Sequence, residues 1–197
     1  MTPEIARPKF RIAAVAVFVL SAFVGACGDL TGVPASLNTV TDSTNVYALN
    51  GAPSGAPTAL HVFSGTLLPV TSSFVFDVAF DIDAAGNAVL LPQRTVASRL
   101  TSSHSVGLQK LNASFDAVTS APKSGYRADT AMVAPVNQVV AIQATDPDAC
   151  GISLTGTTLY AKVVVLAIDR VARQLTIRYT VDPNCGFVSF APGLPKD

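Results

Sequence analysis

The sequence predicts a mainly β fold, an antiparallel β-sandwich or barrel-like domain over residues 45–197 with at most one short helix. The chain is rich in Thr, Val, Ser, Gly and Pro and has no Trp, a composition that suits strands and turns better than helices. Several stretches alternate apolar and polar residues with the period of two that a half-buried strand requires. The length of 197 residues suits a single core.

The charge balance excludes two classes of protein. Charged residues make up only 13% of the chain, the formal net charge is zero, and apolar residues make up 49%. A disordered polyelectrolyte would carry far more charge, and a nucleic-acid-binding protein would carry a basic excess. We therefore expect a folded domain with no nucleic-acid partner.

The N-terminus has the two regions of a secretion signal. Arg7, Lys9 and Arg11 precede an apolar run over residues 12–26. Fifteen helical residues at about 1.5 Å each reach roughly 22 Å, which is short of the roughly 30 Å hydrocarbon core of a bilayer. A transmembrane helix is therefore the weaker interpretation, and residues 1–26 are predicted to be a signal peptide that is removed.

The apolar run ends in Val24-Gly25-Ala26-Cys27. This resembles the lipobox of bacterial lipoproteins, in which the cysteine is acylated and becomes the new N-terminus. The resemblance implies lipidation at Cys27 and a membrane partner for the chain through that lipid. It places the protein in the bacterial cell envelope, on its periplasmic or extracellular face. The alternative is an ordinary secretory signal, or an uncleaved anchor, with an incidental cysteine.

Residues 27–44 are predicted to be a flexible tether from the lipidated cysteine. They show no periodicity that would bury one face. A chain of about 16 such residues spans roughly 20 to 24 Å, which would hold the domain clear of the lipid headgroups.

Residues 74–92 are predicted to form a β-hairpin. In residues 74–83 the large apolar side chains alternate with small or acidic ones, which indicates a strand buried on one face only. Residues 83–87 form a turn in which Gly86 can adopt positive φ, and residues 88–91 resume as the partner strand. The D-x-D-x-x-G spacing here is also that of a calcium loop, but Ala85 and Pro92 occupy ligand positions, so the turn is preferred and no metal is predicted.

A second hairpin is predicted near the C-terminus, from residues 160–169 and 174–182. The first strand is apolar on both faces, which indicates a central strand, whereas the second alternates. Two sheets packed face to face satisfy both patterns. Three further stretches have strand-like patterns: residues 46–49, 58–64 and 138–144. One helix is predicted over residues 105–118, because four apolar residues are spaced three, four and three apart and Ser105 could cap the start.

Cys150 and Cys185 form an even pair once Cys27 is assigned to lipid, and disulfides persist in exported domains. Each cysteine lies in a turn that follows a strand. If the last three strands run up, down and up, both turns lie at the same end of the sheet, and the loops must bend to bring the Cα atoms within about 7 Å. We predict a disulfide; free thiols and a metal site are the alternatives, although no nearby His completes a ligand set.

No catalytic motif is recognisable. His61 and His104 are the only side chains suited to general-base catalysis near neutral pH, and neither lies in a nucleophile motif, so exposed or hydrogen-bonded histidines are the expected outcome. Acid pairs for a hydrolase could form if dispersed carboxylates converged in space. The candidates are Asp77, Asp81, Asp116 and Asp129. We expect that the chain is not an enzyme and assign no catalytic residue.

Three segments resemble landmarks of the HmuY-like haem-binding lipoproteins: residues 76–80, residues 115–126 and residues 160–163. Members of that family are lipid-anchored, mostly β, and bind haem iron through His or Met. The resemblance implies haem as a cofactor, and His104 and Met132, in the intervening loops, are the ligands to test. The alternative is that both are ordinary loop residues.

These observations predict a lipid-anchored extracytoplasmic binding or envelope-interaction module of unknown ligand. Its partner would be a protein or a small molecule. The two alternatives are a haem or small-ligand capture lipoprotein and a hydrolase that uses dispersed Asp residues.

Overall fold

The computed structural model describes residues 34–97, 103–151 and 155–195. The predicted signal peptide, Cys27 and the first part of the predicted tether lie outside these residues. The described strands are, in chain order, β1 (Val40–Tyr47), β2 (Ala59–His61), β3 (Thr66–Leu68), β4 (Val78–Ile82), β5 (Ala88–Pro92), β6 (Ser105–Leu111), β7 (Arg127–Ala128), β8 (Met132–Val133), β9 (Val139–Thr145), β10 (Thr158–Asp169) and β11 (Gln174–Asp182).

The strands form two antiparallel sheets. The six-stranded sheet has the order β1-β11-β10-β9-β6-β7, and the five-stranded sheet has the order β3-β2-β4-β5-β8. Within the described ranges both sheets are open, so the predicted mainly β, sandwich-like fold is confirmed and the barrel-like alternative is not observed. In the described ranges the chain forms two four-residue helices, α1 (Gln93–Val96) and α2 (Pro147–Cys150), where the sequence predicts at most one short helix.

The main core lies between the two sheets. Alternate side chains of both sheets point into it, including Phe80 and Leu90 from the five-stranded sheet and Ile142, Val163 and Ile177 from the six-stranded sheet. These five residues are at most 1% exposed. Interdigitation of two inner faces is the expected way to bury the apolar side of each antiparallel sheet.

The outer face of the six-stranded sheet is also covered. Phe115 and Val118, from the chain between β6 and β7, and Phe190, from the C-terminal segment, pack over Tyr160 and Val164 of β10. This covering explains why β10 is apolar on both faces, as predicted for a central strand.

The predicted hairpin of residues 74–92 forms as β4 and β5, with Gly86 at φ +82° in the turn. The prediction that its first strand is buried on one face only is wrong, because every residue of β4 is buried. Phe76, just before the strand, packs with Ala79 on the face opposite to Phe80. Phe74 packs on the same side as Phe76 and adopts φ +48°.

The predicted tether ends earlier than residue 44. Val40–Tyr47 pairs along its length with β11, and the backbone amides of Ser36 and Leu37 donate to Oδ1 of Asn184. The first four residues of β1 are exposed, and the strand has no regular alternation of apolar and polar residues. The sequence pattern therefore could not predict a strand here.

The predicted helix over residues 105–118 is wrong. Ser105–Leu111 is strand β6, which pairs with β9 over its whole length and places Val106 and Leu108 in the core between the sheets. Phe115 and Val118 belong to the irregular segment that covers the outer face. The apolar residues spaced three and four apart therefore do not share one helix face. Some pack between the two sheets, and the others pack on the outer face of the six-stranded sheet.

Candidate functional site

A cavity of about 420 Å³ lies on the outer face of the six-stranded sheet, a volume typical of small-molecule sites. We call it the Lys162 cavity. Its walls come from β1, β10, β11, the segment after β6 and the C-terminal segment, and they consist of Thr39, Thr41, Phe115, Asp116, Thr119, Lys162, Arg178, Thr180, Phe190, Ala191 and Pro192.

The floor of the cavity is a row of polar residues across three strands. Thr41, Thr180 and Lys162 are directly opposite one another in β1, β11 and β10, so their side chains share one face of the sheet. The hydroxyl oxygens of Thr41 and Thr180 are 2.8 Å apart and share a hydrogen bond. The pairing of these three strands thus sets the positions of the polar side chains on the floor of the cavity.

Lys162 is buried, with only 4% of its surface exposed. Its ammonium Nζ donates to the carbonyl oxygens of Phe115 at 2.6 Å and Val118 at 2.8 Å. The same nitrogen lies 4.1 Å from the ring centre of Phe115 and 5.6 Å from that of Phe190. A buried charge requires such partners. Burial lowers the pKa of Lys162, an effect that nearby Asp116 opposes.

Arg178 forms the other cationic wall. Its guanidinium pairs with both carboxylate oxygens of Asp116, at 2.9 and 3.2 Å, and lies 4.5 Å from the ring centre of Phe115. The Phe115 ring therefore contacts two cations. Two cations and one carboxylate give the lining of the cavity an excess of one positive charge.

Sequence reasoning did not select Lys162. The available signal was a single lysine inside the long apolar strand of residues 159–168. A charged residue at such a position is buried only when specific partners compensate it.

A second polar cluster surrounds His104, which lies just before β6 and is only 12% exposed in its side chain. Its Nε2 is 2.9 Å from Oδ1 of Asp77, and its Nδ1 is 3.7 Å from Oδ2 of Asp146. Asp77 precedes β4 of the five-stranded sheet, whereas Asp146 follows β9 of the six-stranded sheet. His104 therefore links the two sheets through two carboxylates.

The charge state of His104 follows from these partners. Burial alone would lower its pKa, but the hydrogen bond and charge of Asp77, with smaller contributions from Asp146 and Asp129, raise it above the usual 6.5. The two nearby carboxylates favour the protonated imidazole, and that form has no lone pair for a haem iron or for the proton of a substrate.

Met132, the other residue that the haem hypothesis names, lies in β8 and is 7% exposed within the main core. His61 lies at the end of β2, where its Nδ1 is 2.8 Å from the Ser64 hydroxyl. These positions do not favour His104 and Met132 as haem ligands.

The four dispersed Asp residues have different hydrogen-bond and ion-pair partners. Asp77 contacts His104, and Asp116 pairs with Arg178. Asp81 pairs with Arg173 and accepts from Asn50. Asp129 pairs with Arg94 and accepts from Ser105 and Val106. No contact in the described part of the chain joins two of these carboxylates into an acid pair.

The cysteine pair is at disulfide distance. The Cα atoms of Cys150 and Cys185 are 5.8 Å apart, and the two turns lie at the same end of the six-stranded sheet, as predicted. The side chain of Asp146 caps α2, which contains Cys150, by accepting from the amides of Asp148 and Ala149. The helix α2 thus connects the two features, because Asp146 of the His104 cluster caps its start and Cys150 lies at its end.

The calcium-like spacing is a turn. The carboxylate of Asp83 accepts from the backbone amide and the side-chain amide of Asn87, and these bonds lower the pKa of Asp83. In the described ranges no three His, Cys, Asp or Glu side chains are placed to hold a metal ion.

The folding free energy should depend on pH through His104. A raised pKa means that His104 binds its proton more tightly in the folded state than in the unfolded state. The stabilisation of the fold by this proton is complete below pH 6.5, and it is lost as the pH rises through the raised pKa of His104. We expect His104→Gln to lower the urea midpoint relative to wild type most at pH 5.5 and least at alkaline pH. A difference that does not change with pH, measured by circular dichroism, would contradict this.

The chain matches no protein-family model, no curated protein and no solved structure. The resemblance to the HmuY-like lipoproteins thus stays an interpretation of three sequence segments. None of the helices in the described ranges has the length and apolar character needed to cross a bilayer.

Proposed function

We propose that this protein is a lipid-anchored extracytoplasmic binding module that takes a small molecule into the Lys162 cavity. The observation that carries this proposal is the cavity itself. It combines two cations, a hydroxyl pair and two aromatic rings in one concave surface of about 420 Å³. Convergent polar groups on a largely apolar wall are the usual composition of a ligand site.

The geometry supports binding rather than catalysis. A hydrolase that used general-base catalysis would need a base within reach of a nucleophile. Both nitrogens of His104 lie near carboxylates, and no hydrogen bond or ion pair within the described residues pairs two of the four candidate Asp side chains. The chemistry available around the Lys162 cavity is that of ion pairing and hydrogen bonding.

Export is supported by the cysteine pair as well as by the signal-like N-terminus. Disulfides form and persist in the periplasm and at cell surfaces, whereas cytosolic thiols stay reduced. The placement of Cys150 and Cys185 at disulfide distance therefore fits a domain that folds outside the cytoplasm.

The anchor is tested by changing the cysteine of the lipobox. We expect Cys27→Ser to move the protein from the membrane fraction to the soluble fraction, because it loses the acyl chains. The matched control is Cys150→Ser with Cys185→Ser, which also removes cysteines but should leave the protein at the membrane. Retention of Cys27→Ser at the membrane would contradict lipid anchoring.

The ligand site is tested with an introduced fluorophore. The chain has no Trp, so Thr119→Trp would place the only indole at the rim of the Lys162 cavity. We expect compounds that raise the melting temperature of wild type in a small-molecule screen to change the emission of this variant. The control is Thr66→Trp, an exposed position in the five-stranded sheet, whose emission should not respond.

The proposal fails if the stabilising compounds leave the emission of Thr119→Trp unchanged. It also fails if the control variant responds equally, because the compounds would then bind elsewhere.

A further inference from the structure

The charges around the Lys162 cavity favour an anionic ligand. Asp116 is already paired with Arg178 through both carboxylate oxygens. Among the described residues, no carboxylate lies within ion-pair distance of the Lys162 ammonium. The lining therefore keeps one positive charge that no carboxylate of the described residues neutralises, in a buried setting where an opposite charge is attracted more strongly than in water.

The cavity also has hydrogen-bond donors that the described part of the chain does not use fully. An ammonium has three N–H groups, and two of those on Lys162 are directed at the carbonyls of Phe115 and Val118. In the pair formed by Thr41 and Thr180, one hydroxyl donates to the other, which leaves the second proton for an acceptor. These donors lie on the same row of the sheet.

The remaining walls are apolar. Phe115, Phe190, Ala191 and Pro192 line the cavity beside the polar floor. A hydrated inorganic anion would make no use of these surfaces, whereas a ligand with an apolar body would bury area against them. The single excess positive charge of the lining matches a ligand with one carboxylate better than a ligand with two.

We propose that the Lys162 cavity binds a small organic acid with a single carboxylate and an apolar body. The carboxylate lies at the floor near Lys162 and Thr180, and the apolar body lies against Phe115 and Phe190. This inference rests on the proposed function and adds the chemical class of the ligand.

The test compares three probes of similar shape by isothermal titration calorimetry: benzoate, the neutral benzamide and the cationic benzylamine. We expect benzoate to bind the wild-type protein most tightly. Lys162→Gln keeps side-chain N–H donors for the two carbonyls but removes the charge, and it should weaken benzoate binding by about tenfold or more. Benzamide binding should change little.

Lys110→Gln is the matched control, because it removes one positive charge from an exposed position of β6 and should leave benzoate binding unchanged. If Lys162→Gln fails to fold by circular dichroism, Thr180→Val tests the same floor by removing one hydroxyl. It should also weaken benzoate relative to benzamide.

The outcomes separate this inference from the proposed function. Equal binding of benzoate and benzamide, with both changing the emission of Thr119→Trp, would overturn the acid preference and leave the proposed function standing. Acetate, added as a fourth probe that has the carboxylate but no ring, should bind more weakly than benzoate, and equal binding of the two would overturn the role of the apolar walls. If stabilising compounds bind without affecting that emission, both proposals fail.

Discussion

Asp77→Ala is expected to lower the free energy of unfolding by about 3 to 5 kcal/mol, because removing one member of a buried ion pair strands its partner. Asp77 is 1% exposed. One carboxylate oxygen accepts from the backbone amide of Val62 at 2.6 Å, and the other is 2.9 Å from Nε2 of His104. Alanine would leave a buried amide and a buried imidazole without this partner. Urea denaturation followed by circular dichroism measures the loss.

Two companion variants identify the cause of the loss. Asp77→Asn keeps an acceptor for Val62 but removes the charge, so its loss should be smaller than that of Asp77→Ala. Asp42→Ala removes an exposed carboxylate from β1 and should change the free energy of unfolding by no more than about 0.5 kcal/mol. A loss for Asp77→Ala as small as that for Asp42→Ala would contradict the structural role of the His104 cluster.

Removal of the cysteine pair should have a similarly large effect. The bridge would close a loop with a sequence separation of 35 residues. Cys150→Ser combined with Cys185→Ser should lower the free energy of unfolding by about 3 to 4 kcal/mol, because the unfolded chain regains the entropy that the cross-link removes. The measurement is the urea midpoint of the double variant against wild type.

Reduction provides an independent check on the same bond. A thiol reductant should lower the urea midpoint of wild type to that of the double variant and should have no further effect on the variant. Cys27→Ser is the control, since it removes a cysteine without opening the loop. A wild-type midpoint that is insensitive to reductant would indicate that the two thiols are free.

The parts of the fold that the sequence predicted are those set by local pattern. The hairpins β4–β5 and β10–β11 follow from alternation around short turns, and Gly86 has the positive φ that its turn needs. The position of both cysteine turns at one end of the sheet follows from strand direction, because two antiparallel reversals return the chain to the same end.

The errors arise where contacts between distant segments override local pattern. Residues 105–118 have helical spacing, yet pairing with β9 makes their first half a strand and packing on β10 fixes their second half. Alternation alone could not show that Phe76 and Val78 pack on opposite faces, because strand β4 begins only at Val78 and Phe76 lies outside it.

The Lys162 cavity was beyond sequence reasoning for the same reason. Lys162 bonds to the carbonyl of Phe115, which is 47 residues away, and the wall at Phe190 comes from the C-terminal segment. The His104 cluster likewise joins residues from three separate segments. A histidine and scattered aspartates in a sequence do not reveal which of them are neighbours in space.

Intact mass analysis of the protein purified from the cell envelope tests the proposed lipid-anchored, exported form most directly. We predict a chain that begins at Cys27, carries the mass of two or more acyl chains and lacks the thiol hydrogens of Cys150 and Cys185. A soluble chain that begins at Met1, without acyl mass and with both thiols intact, would contradict the account.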